Sequence, residues 1–383
     1  MNHILLVTTS YPFGDKGSEA AGSFVVDMAN ELSSRMLVTV VAPGDDEKNE
    51  EVNLNLTVER FKVKQWPLSL LKISNPLHWK TIFNTIRSGQ KAVYKAVSKN
   101  TIDHILALWV LPSGYWAMTV GRQLKIPYST WALGSDIWSL GKIPIVRNVL
   151  KKVLLNSHCN FADGLQLKKD VELISERKCL FLPSTRNVKI TKIKVLSTTP
   201  PYRFAFLGRW HYNKGIDLLM EAMLLLKETD WKRIDSVRIF GGGPLQAQVK
   251  LYVKQLQEQG RPVSLGAYIE KEKAVELFRW ADYVFIPSRT ESIPIVFSDA
   301  MKCGCPVVCM PVGDMPRLLA EYKIGVLAGS ITAESFAAAI NEIMHHSPEM
   351  FSQGLSETAE KFRLDRVCEL IEENILHKTE VVA

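Results

Sequence analysis

Short apolar runs alternate with amphipathic helical stretches along nearly the whole chain, and the alternation starts afresh midway. Repeated strand-then-helix units dictate a parallel sheet covered by helices. In the first half the strand-like runs are HILLVTT, LVTVVA, HILALW, PYSTWAL and CLFLP, with helical patterns near 22–35, 80–98, 113–124 and 144–155. The second half restarts at YRFAFLG and continues with SVRIFGG, PVSLGAY, DYVFIP, CPVVCM and IGVLA, with helical patterns near 215–227, 244–258, 270–280, 294–303 and 333–345. The expected fold is α/β: two Rossmann-like doubly wound domains, residues 1–185 and 202–356, facing across a cleft. Single cores stop growing near about 250 to 300 residues, so a chain of 383 divides. Residues 186–201 lack a clean period and read as the connector; within 357–383, a helical pattern near 357–376 is expected to cross back to the first domain.

A hydrophobic share of 46% excludes a disordered chain. The start, MNHILLVTTS, has no basic leader and no small-residue cleavage site. With no stretch near the roughly 18 apolar residues of a membrane span, the expected location is the cytoplasm, free or peripheral on the cytoplasmic membrane face. The six cysteines show no disulfide spacing. Cys303, Cys305 and Cys309 have no His nearby, so no metal site is expected there.

The net charge of +7 is concentrated. From Arg60 to Lys99 there are nine Lys or Arg and no acid, interleaved with Phe61, Trp66, Leu68, Leu70, Leu71, Trp79 and Phe83, and residues 141–158 repeat the pattern. Two readings stand: solvated helix faces whose aromatics are core, or a surface that settles on anionic lipid. No recognition-helix, zinc-finger or RNP-type pattern accompanies the charge, so no nucleic-acid partner is expected.

In doubly wound sheets ligands sit beyond the carboxyl ends of strands. Three such loops in the second half carry chemistry. LGRWHYNKG offers Gly208 for a close turn, then Arg209 and Lys214, two cations suited to a diphosphate or to the surface alone. IFGGGPL places Gly243 before Pro244, which is expected to open a helix. It is not a dinucleotide fingerprint, because Gln246 stands where the last glycine belongs. RTESIPIVFSDAMKCG puts Glu291 just outside a helix opened by Pro294, and Asp299 inside it. The amides of Ser292, Ile293 and Ile295 then point at a phosphate from a positive helix end. Pro294 and Asp299 lie about 7 to 8 Å apart along the axis at about 1.5 Å per residue. A nucleoside diphosphate sugar, with hydroxylated rings on both sides of its phosphates, satisfies all three features.

Those three motifs, in that order, resemble the family-four retaining glycosyltransferases of GT-B fold. The likeness is specific over residues 203–316, where the family's E-x7-E pattern stands as Glu291 and Asp299. It implies that Glu291 contacts donor-sugar hydroxyls, Asp299 the ribose diol, and Arg209 with Lys214 the diphosphate. It implies no bound cofactor or metal and a hydroxyl acceptor; the basic, aromatic surface at 60–99, read as settling on anionic lipid, points to a glycan or lipid-linked precursor as that acceptor. In the first half SYPFGDKGSEAAGSF resembles the glycine loop after the first strand, with Gly22 at the helix entry. LGSDIW stands where the family has H-G-x-D, so Leu133 replaces the His and Asp136 becomes the catalytic polar residue expected from this side. Leu133 leaves open a catalytically silent nucleotide-sugar binder, and the scaffold also leaves open an epimerase or hydrolase.

Overall fold

The structure, a computed structural model, describes residues 1–13, 22–65, 68, 71, 73–189 and 197–376. They form two units, Met1–Ser184 with Leu364–Ala383, and Thr185–Arg363.

The first unit is built on strands β1 (His3–Val7), β2 (Leu37–Gly44), β3 (Lys48–Asn53), β4 (Leu56–Lys62), β5 (His104–Leu108), β6 (Tyr128–Ala132), β7 (Asn160–Ala162) and β8 (Cys179–Phe181). Their order is β3-β4-β2-β1-β5-β6-β7-β8. All pairs are parallel except β3 with β4. The central strands are buried on both faces, which explains their unbroken apolar sequences. The β3–β4 pair was not among the expected strands: KNEEVN is an exposed, polar edge strand with no apolar alternation to betray it.

Helix Pro76–Lys99 begins four residues before the expected 80, where Asn75 Oδ1 accepts the Leu77 amide at 3.1 Å and Pro76 fixes the first turn. Its buried face is Thr85, Gly89, Val93, Ala96 and Val97. Of the aromatics interleaved with the basic residues, Phe61 is core, whereas Trp79 and Phe83 are 59% and 64% exposed. Trp66 and Leu70 lie outside the described residues. Arg60 is no surface charge: its buried guanidinium donates to the carbonyls of Tyr11, Pro12 and Pro43.

The helical pattern near 357–376 is two helices, Ser352–Lys361 in the second unit and Leu364–Ile375 in the first. The break follows from Phe362, buried with its ring 5.7 Å from that of Phe297. Leu364–Ile375 packs on Ser23–Ser33. Arg35, just beyond that helix, sits 3.8 Å from both Glu369 and Glu372.

The second unit holds β9 (Tyr202–Arg209), β10 (Ile234–Gly242), β11 (Val263–Gly266), β12 (Tyr283–Ile286), β13 (Val307–Cys309) and β14 (Gly325–Leu327). All are parallel, in the order β11-β10-β9-β12-β13-β14. Phe204 and Phe285 stack at 4.9 Å in its core. Successive strands run outward from β9 in one direction and then from β12 in the other, so the order reverses between them. The β9–β10 ladder continues to Arg209 and Gly242, whereas β9 and β12 pair only through Phe204 and Ala205. Beyond that pair the strands part, and a crevice opens at their carboxyl ends. Of the expected connector, residues 186–189 and 197–201 belong to this unit, as does residue 185 of the expected first domain, and 190–196 lie outside the described residues.

Gly89 tests how tightly the first unit is packed. An added Cβ would lie 2.3 Å from the Trp116 indole, which is fully buried, bonded to Ile86 O at 2.9 Å and edge-on to Phe61. Alanine is the better helix former by about 1 kcal/mol, but the ring cannot yield. Gly89→Ala should therefore destabilise the protein by about 1 to 3 kcal/mol in denaturant titrations, against its helix propensity.

Candidate active site

Both loops that flank the β9–β12 crevice carry expected site residues. Arg209 ends β9, exposed, and Gly208 precedes it with its Cα facing the Phe206 ring. Next comes a single turn, Tyr212–Lys214, which His211 caps by accepting the Asn213 amide at its Nδ1 at 3.2 Å. Burial, then the charges of Arg209 and Lys214, hold the His211 imidazole below its usual pKa range. Gly215 closes it at φ +65, with a Cβ position only 1.8 Å from Pro287 O. Only glycine lets the two loops approach this closely.

Across the crevice, the segment after β12 is tied back to that turn by Arg289. Its guanidinium reaches both Asp217 carboxylate oxygens at 2.7 Å, donates to Tyr212 O at 2.8 Å and lies 3.9 Å over the Tyr212 ring. The Arg289 amide donates to Asn213 O at 2.8 Å. Two residues on, Glu291 accepts a hydrogen bond from Lys214 Nζ. The structure thus brings Lys214 and Glu291 into one ion pair, so neither charge stands alone where a ligand would enter.

The helix expected from Pro294 runs Ile295–Lys302, with Pro294 as its extended N-cap. Among the described residues the amides of Ser292, Ile293 and Ile295 have no acceptor, and Ser292 Oγ is buried without a partner. Gly313 backs this loop, its Cβ position 2.3 Å from the carbonyls of both Glu291 and Ser292. Asp299, 1% exposed, is gripped by Arg186, whose Nε lies 2.9 Å from Oδ2 and whose Nη2 also binds that oxygen. Asp299 Oδ1 is buried with no partner.

IFGGGPL departs from expectation at its helix. Residues 243–245 form a turn, with the Leu245 amide on Trp210 O and the Gln246 amide on Gly243 O, both at 3.0 Å, and the helix begins at Gln246 rather than Pro244. Gly243 lies against the Trp210 carbonyl, so this turn packs on the Arg209 loop.

In the first unit Gly22 enters helix Ser23–Ser33 at a point where a side chain would strike Ser10 O. Residues 14–21 of its loop lie outside the described residues. Asp136 needs correction as a catalytic group. Its carboxylate is buried and accepts the amides of Val110 (2.7 Å), Ile137 (3.1 Å) and Leu133 (3.3 Å). Burial raises its pKa to about 6 against the pull of those amides. It organises two loops of its own unit. Among the described residues no three His, Cys, Asp or Glu side chains converge to hold a metal.

Arg186 and Arg289 were missed in the sequence. Arg289 sits two residues from Glu291, but its partner is 72 residues away; Arg186 lies in a stretch with no period, 113 residues from Asp299.

Comparison with known proteins first fixes the class. The fold is that of GT-B glycosyltransferases: sucrose-phosphate synthase from Thermosynechococcus elongatus superposes with a TM-score of 0.75 at 20% identity, over 97% of this chain and 98% of that one. An Anabaena protein, HepE, in complex with UDP superposes with a TM-score of 0.69 at 15% identity, over 98% of this chain and all of that one. Residues 187–362, under half of the chain, match the family model for glycosyl transferases group 1. A D-inositol 3-phosphate glycosyltransferase of Corynebacterium aurimucosum is 32% identical over 153 residues, 39% of this chain, and the match spans 36% of that relative.

If Arg289 sets the distance between the two loops, Arg289→Ala should lower stability by about 1 to 3 kcal/mol, read by denaturant unfolding, since it leaves Asp217 without its partner. Asp217→Ala should cost a similar amount, and the double variant less than the sum.

Proposed function

We propose that the protein is a retaining, metal-independent hexosyltransferase that moves a sugar from a nucleoside diphosphate sugar to a hydroxyl on a lipid-linked or cell-surface glycan precursor. One observation supports this reading: the Lys214–Glu291 pair, the unbonded amides of Ser292, Ile293 and Ile295, and buried Asp299 all belong to the segments that follow β9 and β12, where the strand order reverses. The UDP complex of HepE, which shares the fold, supports a nucleotide donor.

In this reading Arg209, Lys214 and the amides of Ser292, Ile293 and Ile295 receive the diphosphate, Gly208 and Gly243 let the backbone close on it, and Glu291 turns to the sugar hydroxyls. Pro294 starts the helix without a competing donor. As the bond from the anomeric carbon to phosphate breaks, charge grows on the departing diphosphate, and preorganised donors stabilise it. The acceptor oxygen bonds to the anomeric carbon on the same face, and its proton passes to a phosphate oxygen of the leaving group. Gly22, at the entry of helix Ser23–Ser33, is taken with the donor-binding residues. Donor binding separates the Lys214–Glu291 pair, giving each group a ligand partner in place of the other.

Thermal stabilisation by UDP-, GDP-, ADP- and dTDP-sugars, without metal, tests the donor. A ligand specific to the folded state should add about 2.7 kcal/mol at about 100 times its Kd. One nucleotide class should stabilise the protein, and Glu291→Ala should remove the part due to the sugar. No shift with any of them would sink the reading.

An anionic bilayer is the expected partner on the acceptor side. The solvent face of Pro76–Lys99 carries Lys80, Arg87, Lys91 and Lys95 beside Leu77, Trp79 and Phe83, all exposed, and no helix among the described residues is long and apolar enough to cross a membrane. Cations near such a surface contribute about 1 kcal/mol each. Residues 141–158 add less, since Lys151 is paired to Glu176 at 2.6 Å. Binding to phosphatidylglycerol-containing vesicles should exceed binding to phosphatidylcholine vesicles and fall with Trp79→Ala plus Phe83→Ala; equal binding to both would refute it.

A further inference from the structure

The donor reading gives Asp299 to the ribose, and that reading, on which this inference rests, leaves Arg186 without a role. A carboxylate that reads a vicinal diol ordinarily offers one oxygen to each hydroxyl. Asp299 cannot. Both Arg186 contacts fall on Oδ2, while Oδ1 is buried without a partner. Arg186 is itself held at its backbone. Lys302, three residues after Asp299 on the same helix, donates from Nζ to Arg186 O at 2.7 Å and to Thr185 Oγ1. Thr185 Oγ1 in turn donates to Phe362 O at 2.7 Å. The arginine is therefore fixed at both ends to the helix that presents Asp299, and the carboxylate is fixed in rotation.

We propose that Arg186 is a positioning residue that commits Asp299 Oδ2 to itself, so that the site reads one ribose hydroxyl through Oδ1 rather than the diol. The aspartate, one methylene shorter than glutamate, gains rigidity from the guanidinium. A hydrogen bond to a buried charged group is strong enough for its loss to be measured directly.

The test needs first the unmodified protein and the ribonucleoside diphosphate that binds it best among UDP, GDP and ADP, with the 2′-deoxy and 3′-deoxy forms of the same compound. Calorimetric titration should show one deoxy form losing about tenfold or more in affinity and the other less than about threefold, the loss expected for one charge-assisted hydrogen bond. Arg186→Lys, which keeps a donor to Oδ2, should preserve that asymmetry. Arg186→Ala, which releases Oδ2, should bring the two deoxy forms within about threefold of each other. In turnover it should raise the donor KM more than it lowers kcat, because the ribose lies away from the reacting bond. Equal losses for both deoxy forms in the unmodified protein, or an unchanged asymmetry in Arg186→Ala, would overturn the role of Arg186 while leaving the donor reading intact. If no nucleoside diphosphate binds at all, both fall together.

Discussion

Strand β9 has two unequal neighbours, and the second unit is arranged around that inequality. Its ladder with β10 runs to the last residue, whereas with β12 it ends after Ala205. Beyond that point β9 and β12 no longer pair with each other, and the two loops there need other ties. Arg289 supplies the main one, bidentate to Asp217 and stacked on Tyr212. Gly215 brings the backbones together beneath it, and Gly313 presses on the Glu291 loop from the far side. The crevice is thus held open by strand divergence and held to width by one guanidinium.

Around the short helix Ile295–Lys302 the charges come in pairs: Lys214 with Glu291, Arg186 with Asp299, Arg289 with Asp217. Paired charges cost less to desolvate than isolated ones. They also leave little net field, so exposed Arg209 and the helix-end amides are the groups of this region that no carboxylate neutralises among the described residues. In the proposed donor reading the carboxylates select hydroxyls, while Arg209, Lys214 and the helix-end amides receive the phosphates.

Much of this was legible in the sequence, because parallel strands buried on both faces read as continuous apolar runs and the loops after them follow by rule. Glu291, Lys214 and Asp299 stand out as candidates in the sequence because each lies in a loop or helix start next to such a run. β3 escaped because an exposed edge strand needs no apolar pattern. Asp136 misled for a related reason: a carboxylate that satisfies backbone amides and one that meets a ligand look alike in a string of letters. Arg186 and Arg289 were invisible because their meaning lies in partners far along the chain.

The first unit is not continuous in the chain. Its closing helix, Leu364–Ile375, packs on Ser23–Ser33 and is separated from the rest of the unit by all of Thr185–Arg363. During synthesis the second unit is therefore complete on emergence while the first still waits for its last helix. Until then the contact of Ser23–Ser33 with Leu364–Ile375 is unmade. The order in which the two units mature is thus the reverse of the order in which they begin.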